Sequence, residues 1–186
     1  YVDEGIPYLL ARHVRDNRLQ FDGKTFITEA FNQKNKKSKL KAGDLLLVQS
    51  GHIGHCAVVG QEHVGHNCHA MIVITPKPAL LFGEYLAEFF YTEEMRRKVE
   101  SIRSGSTVPH LTCGEVREIQ VPLPSLDGQR QLIALMSEIS VNISLLKDSL
   151  NRKVTALDEL RKSLLHHAFT GQLTAKKTDQ LLGAAV

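Results

Sequence analysis

Seven residues of the kinds that ligate zinc fall between positions 52 and 69: His52, His55, Cys56, His63, His66, Cys68 and His69. Imidazole nitrogen and thiolate sulfur are preferred zinc donors, so this density raises the question of a structural metal or of a zinc-dependent hydrolase. The spacing argues against both. There is no C-x-x-C pair and no H-E-x-x-H stretch, the arrangements that bring ligands to one point. Cys56 falls in an apolar run of strand type, where a thiol is commonly buried. Phosphate-cradling glycine loops, an Asn/Asp-Pro-Pro-Tyr-like segment and a G-x-S-x-G elbow are also absent from the sequence. Asp44 after Gly43 reads as part of a turn before a strand. The reading is of a protein that is not an enzyme and takes no cofactor or metal.

Three other clusters offer hydrogen bonding and positive charge instead of catalysis. Lys34, Lys36, Lys37, Lys39 and Lys41 crowd eight residues with no acid between them, in a chain of net charge only +3. Gln49, Ser50 and His52 flank Gly51. Arg103, Ser104, Ser106, Thr107 and His110 form a second polar stretch. Composition alone equally allows a solvated lysine loop, glycines that only make a turn, and a polar loop that only braces the domain.

The elements that must position these groups follow from local pattern. Residues 5–14 read as a strand after a Gly-Ile-Pro turn, and 26–33 as a short helix. Residues 41–60 read as a β-hairpin with arms Leu45–Gln49 and Cys56–Val59, joined by Ser50-Gly51-His52-Ile53-Gly54-His55. Residues 69–76 form a further strand ended by Pro76. Residues 83–102 have helical spacing, with Leu86, Phe89, Phe90 and Met95 on one side and acids preceding basic residues, as the helix dipole favours. Residues 103–112 read as a loop and 118–124 as a last strand. Strands and helices mix without regular alternation, which predicts a compact α+β domain over 1–124 with a mixed sheet.

After Pro124 the pattern changes. Leu132, Met136, Ile139, Ile143, Leu146, Leu150, Leu157, Leu160 and Leu164 keep a 4-3 heptad frame, interrupted only by Lys153 and His167 among eleven seam positions. That is a coiled-coil signal. Ser125 is placed as N-cap and Gly171 as the left-handed stop. A helix over 125–171 needs a partner helix, because no other segment of comparable length exists, and 172–186 is left as a tail.

No apolar run is long enough to span a bilayer, and residues 1–20 lack a signal-peptide core. The three cysteines are an odd number, read as reduced thiols in a cytoplasmic protein. Because the sequence begins with Tyr1 and not Met, preceding sequence is expected.

The ordered set of short motifs resembles the DNA specificity subunit of type I restriction-modification systems. It runs Gly-Ile-Pro-Tyr-Leu, Lys-Ala-Gly-Asp-Leu-Leu-Leu, Gly-His-Ile-Gly, Arg-Ser-Gly-Ser-Thr and Val-Pro-Leu-Pro. A helix follows that opens Gln-Arg-Gln-Leu-Ile and closes Leu-Arg-Lys-Ser-Leu-Leu-His-His-Ala-Phe-Thr-Gly-Gln-Leu-Thr. The resemblance implies one target recognition domain, 1–124, plus one spacer helix, 125–171. The helix would pair with a second long helix, from another copy in a homodimer or from the other half of a longer subunit. It further implies binding of double-stranded DNA and docking of methyltransferase and endonuclease subunits. Under it, Lys34, Lys36, Lys37 and Lys39 become candidate phosphate contacts. Gln49, Ser50, His52, Arg103, Ser104, Ser106, Thr107 and His110 become candidate base contacts, since glutamine reads adenine and arginine reads guanine bidentately. The family usually has Glu-Gln where this chain has Gly128-Gln129. Glycine at the third helical position forfeits a capping box, so a frayed or displaced helix start is expected. Two other classes remain beside this reading: a coiled-coil adaptor that binds protein without DNA, and a zinc hydrolase on the histidine cluster.

Overall fold

The computed structural model describes residues 1–15, 17–104 and 110–171. Its strands are β1 (Ile6–Leu9), β2 (Val14–Arg15), β3 (Arg18–Leu19), β4 (Phe26–Ile27), β5 (Leu45–Val48), β6 (Cys56–Val58), β7 (Asn67–Cys68) and β8 (Met71–Ile74). Its helices are α1 (Glu29–Lys34), α2 (Gly83–Phe90), α3 (Glu93–Ser104), α4 (Cys113–Arg117) and α5 (Leu126–Phe169). Three small sheets result, ordered β4-β1-β7, β2-β3 and β6-β5-β8. All pairs are antiparallel except β1 with β7. This is the mixed-sheet α+β arrangement that the pattern predicts, followed by one long helix.

β5 organises the core. Its sequence Leu-Leu-Leu-Val has no polar face, and all four residues are buried. Side chains alternate across a strand, so Leu46 and Val48 join Leu9, Val14, Ala57 and Met71 on one side. Leu45 and Leu47 join Ile72, Leu86, Phe90 and Met95 on the other. Strands and loops cover the first face and helices the second, which is why this strand is apolar on both. Gly43, in the left-handed region at φ +83°, makes the turn into β5. A Cβ on Gly83 would lie 2.5 Å from the Gly43 carbonyl oxygen, so the start of α2 reaches that turn only as glycine.

Two expectations are corrected. The helix expected over 83–102 is two helices that break at Tyr91-Thr92. The Tyr91 hydroxyl donates to the Cys56 carbonyl (3.0 Å) and accepts from the Cys56 N–H (3.3 Å). Thr92 donates to the Phe89 carbonyl (2.8 Å) and accepts from the Met95 N–H (3.4 Å), ending one helix and opening the next. The strand expected over 118–124 is not formed. Pro122 and Pro124 lack the N–H a ladder needs, and the Tyr85 hydroxyl holds the segment through the Pro122 carbonyl (3.0 Å). Beyond residue 112, where the sequence reading assigned no element, the chain forms the short helix α4, started by a capping box. The Thr112 N–H donates to Glu115 Oε2 (2.7 Å), and the Glu115 N–H donates to the Thr112 hydroxyl (3.2 Å). Thr-Cys-Gly-Glu carries that signature in its sequence.

α5 starts where Ser125 places it: the Gly128 N–H donates to the Ser125 hydroxyl (3.2 Å). The expected displacement of the start does not occur. Gln129, fully buried, holds the first turn. Its amide nitrogen donates to the carbonyls of Leu80 (2.9 Å) and Pro124 (3.0 Å), and its oxygen accepts the Phe82 N–H (3.1 Å). At the other end Gly171 has φ +74°, the left-handed residue that closes a helix. The chain divides into two compact units within this helix, the first being Tyr1–Met136 and the second beginning at Ser137. No helix among the described residues is long and apolar enough to cross a membrane.

Candidate nucleic-acid interface

The lysine cluster is not a loop. Lys34 ends α1, and Lys36 and Lys37 lie in a 3-10 turn, Lys36–Ser38. All three are exposed, while Lys39 is half-buried. Thr28 caps α1 by accepting the Phe31 N–H (3.1 Å). Beneath the lysines lie two asparagines, Asn32 and Asn67, about 99–100% buried. The Asn67 amide donates to Asn32 Oδ1 (3.0 Å) and to the Asn35 carbonyl (3.0 Å), and Asn32 donates to the Gly65 carbonyl (3.3 Å). Buried amides are costly unless paired. This network fixes the backbone that carries the lysines, so their charges project from an ordered segment.

Of the two polar stretches, the structure describes the hairpin connection and, in the second, His110 and the backbone of Arg103 and Ser104. The hairpin forms with β5 and β6 where expected, and Gly51 and Gly54 occupy the left-handed region at φ +79° and +83°. A Cβ on Gly54 would lie 3.0 Å from Val99 of α3, so the connection is seated on that helix. Gln49 joins it to the second stretch. The Leu111 N–H donates to the Gln49 carbonyl (2.9 Å), and the Gln49 amide reaches the Leu111 carbonyl at 3.4 Å. Gln49 therefore braces the hairpin against Leu111, which follows the exposed His110; Ser50 is half-buried and His52 exposed. The backbone of Arg103 and Ser104 closes α3. The side chains of those two residues, together with Ser106 and Thr107, lie outside the described residues.

The histidines and cysteines do not converge. His52 pairs with His55 and His63 with His66, each with ring centroids 5.5 Å apart, while His69 lies against Tyr8. Cys56 and Cys68 are buried in opposite cores. Burial pushes both thiols up to about 12, far from the thiolate a metal takes. Among the described residues no three such side chains are grouped to hold a metal.

Sequence reasoning passed over one basic element. Arg12, Arg15 and Arg18 are spaced three apart around the turn between β2 and β3. Arg12 is anchored at two points: its Nε donates to Asp22 (3.1 Å) and its Nη2 to the Thr25 hydroxyl (2.5 Å). Burial alone would raise the Asp22 carboxyl. Hydrogen bonds from Arg12 and the Lys24 N–H, with His13 Nε2 3.0 Å from Oδ1, outweigh it and hold the carboxyl at about 2. The signal in the sequence was the arginine period flanking an Asp-Asn turn.

The fold is thus a mixed α+β unit with exposed lysines and a polar hairpin connection, continued by an apolar-striped helix. Residues 2–156 match the type I restriction modification DNA specificity domain, and the chain belongs to that family. It is 21% identical over 177 residues to the EcoBI specificity subunit of Escherichia coli, covering 94% of this chain and 37% of that protein. It is likewise 21% identical over 179 residues to the EcoKI specificity subunit of Escherichia coli K12, covering 94% and 38%. The chain thus spans well under half the length of these relatives. In fold it is similar to the HsdS subunit from Thermoanaerobacter tengcongensis, with a TM-score of 0.61 at 16% identity over 76% of this chain and 37% of that one. A second structure, described as showing complex assembly and conformational transition of the type I R-M system, matches with a TM-score of 0.67. Identity there is 18%, over 89% of this chain and 38% of that one.

Proposed function

We propose that this chain is a non-catalytic, sequence-reading module of a type I restriction-modification complex. Its α+β part, 1–124, reads a half-site of double-stranded DNA. Methyltransferase and endonuclease subunits dock on the assembled subunit and supply the chemistry, which places the protein in the cytoplasm with its DNA. The observation that carries this reading is the buried Asn32–Asn67 network, which fixes the backbone that carries a set of exposed lysines. Ordered cations suit phosphates at set spacing, and phosphate contacts fix the register in which nearby side chains meet base edges.

The helix supplies the second part of the proposal. Ile143, Leu146, Leu150, Leu157 and Leu160 are all more than half exposed, an apolar seam that a second long helix would cover. Supplied by another copy, that helix makes a two-fold dimer, and identical domains then read inverted copies of one half-site. Supplied by the rest of a longer subunit, it joins two different domains, and the half-sites differ.

Selection of duplexes from a random-sequence library with this chain tests the reading. We expect an enriched motif and binding that weakens steeply as salt rises. Absence of duplex binding would instead favour a coiled-coil adaptor that meets protein.

A further inference from the structure

The β2–β3 hairpin places two arginines opposite each other. Arg15 and Arg18 are Cα partners in its ladder, next to the pair Val14 and Leu19. Val14 is buried in the core and Leu19 packs against it, so the base of the ribbon is anchored. Asn17 turns the chain at φ 61°, and Asp16 lies outside the described residues. Like charges directly across a strand pair destabilise it. Among the described residues, neither arginine has a carboxylate in ion-pair range. Both arginines are exposed, so the ribbon carries two cations on its surface.

Its neighbourhood is specific. Arg15 shares a cleft of about 260 Å³ with Arg12, His52 and His55, which links the ribbon to the tip of the β5–β6 hairpin. The Arg15 Nε donates to the Arg12 carbonyl (3.0 Å). That bond occupies Nε and leaves the two terminal nitrogens, the pair that makes an end-on fork, without a hydrogen-bond partner among the described residues. Arg12, held by Asp22 and Thr25, is the support on which Arg15 rests.

We propose that the β2–β3 ribbon enters the DNA major groove and that Arg15 reads a guanine there. This rests on the DNA-reading function proposed above and adds a contact element to it. A two-stranded ribbon fits a groove ~12 Å wide, and a paired arginine donor matches the guanine O6 and N7 acceptors. Arginine is required because lysine offers a point charge without the fork.

The test compares the full chain with Arg15→Ala and Arg15→Lys by selection from random duplexes and by salt titration of binding. Arg15 is exposed, so both variants keep the fold, which circular dichroism checks. We expect both to lose preference at one base pair by roughly tenfold or more, with the rest of the motif intact. Arg15→Lys should keep the wild-type salt slope. Two results would overturn the proposal. Either Arg15→Lys retains the base preference while Arg15→Ala only flattens the salt slope by ~0.9, which marks a phosphate contact, or neither variant differs from wild type. If the wild-type chain itself binds no duplex, the function reading fails first, and that outcome is distinct from both.

Discussion

The Gln129 side-chain oxygen accepts the Phe82 N–H at 3.1 Å across 47 residues of sequence. Through this contact and the two carbonyls its nitrogen serves, one buried amide ties the first turn of α5 to the segment that leads into α2. Arg130 adds to the same junction by lying over the Phe82 ring at 5.2 Å.

Gln129→Ala removes the partner of one backbone N–H and two carbonyls in a place closed to water. Each buried group left unpaired costs about 1–3 kcal/mol, partly recovered where water enters. We expect a net loss of about 2–4 kcal/mol in urea unfolding of the first unit, on that same scale. A loss below about 0.5 kcal/mol, the range of a neutral surface change, would mean the junction is held by other contacts.

Gly128→Glu should stabilise the protein. A Cβ at Gly128 meets Ser125 Oγ at 3.4 Å and Pro124 Cβ at 3.5 Å, ordinary contacts. Glutamate is a better helix former than glycine by up to ~1 kcal/mol. At the third helical position it also completes a capping box with Ser125. The melting temperature should rise by a few degrees, and a fall would show that the first turn is constrained in a way its contacts do not reveal.

Much of this was legible in the sequence. The β5–β6 hairpin, the cap at Ser125 and the stop at Gly171 were set by local rules, so they stand where pattern placed them. The helix start held despite Gly128, because Gln129 makes contacts with Leu80 and Phe82 that no local rule sees. The break at Tyr91-Thr92 was hidden for the same reason: Tyr91 is held by Cys56, thirty-five residues away. Gln49 was legible as a polar residue at a hairpin end, but its role as a brace depends on where Leu111 returns. The arginine ribbon was missed because each of its strands is only two residues long, too short to show alternation.

Replacing Lys34, Lys36, Lys37 and Lys39 with alanine should weaken binding by a similar factor for all DNA sequences. The log–log salt slope should flatten by ~0.9 for each phosphate that is no longer neutralised. Fluorescence anisotropy across a salt series reads it, and an unchanged slope would make these lysines a solvated surface.

Acid should destabilise the fold before the carboxylates titrate. Burial lowers His13 below its ordinary value of 6.5, and Asp22 opposes this without prevailing. Burial and then the neighbouring His63 lower His66. Both histidines are therefore neutral in the fold over a range where the unfolded chain already binds protons. Their stabilisation is full above pH 6.5 and declines as pH falls through and below that value. Asp22, held at about 2 against an ordinary 3.8, adds a second loss below pH 4. Melting temperature should drop between pH 7.5 and 5.5, and by less in a His13→Gln, His66→Gln double variant. An equal drop in the variant would assign the acid sensitivity elsewhere.

We propose a division of labour in which the α+β unit reads bases and the helix sets their spacing. Deleting one heptad, residues 143–149, keeps the seam in phase and shortens the helix by ~10 Å at 1.5 Å per residue. At 3.4 Å per base pair that is about three base pairs. Selection from random duplexes with the shortened and native chains compares them directly. We expect the same half-site bases with a gap about three base pairs shorter. A changed set of bases, or an unchanged gap, would contradict it.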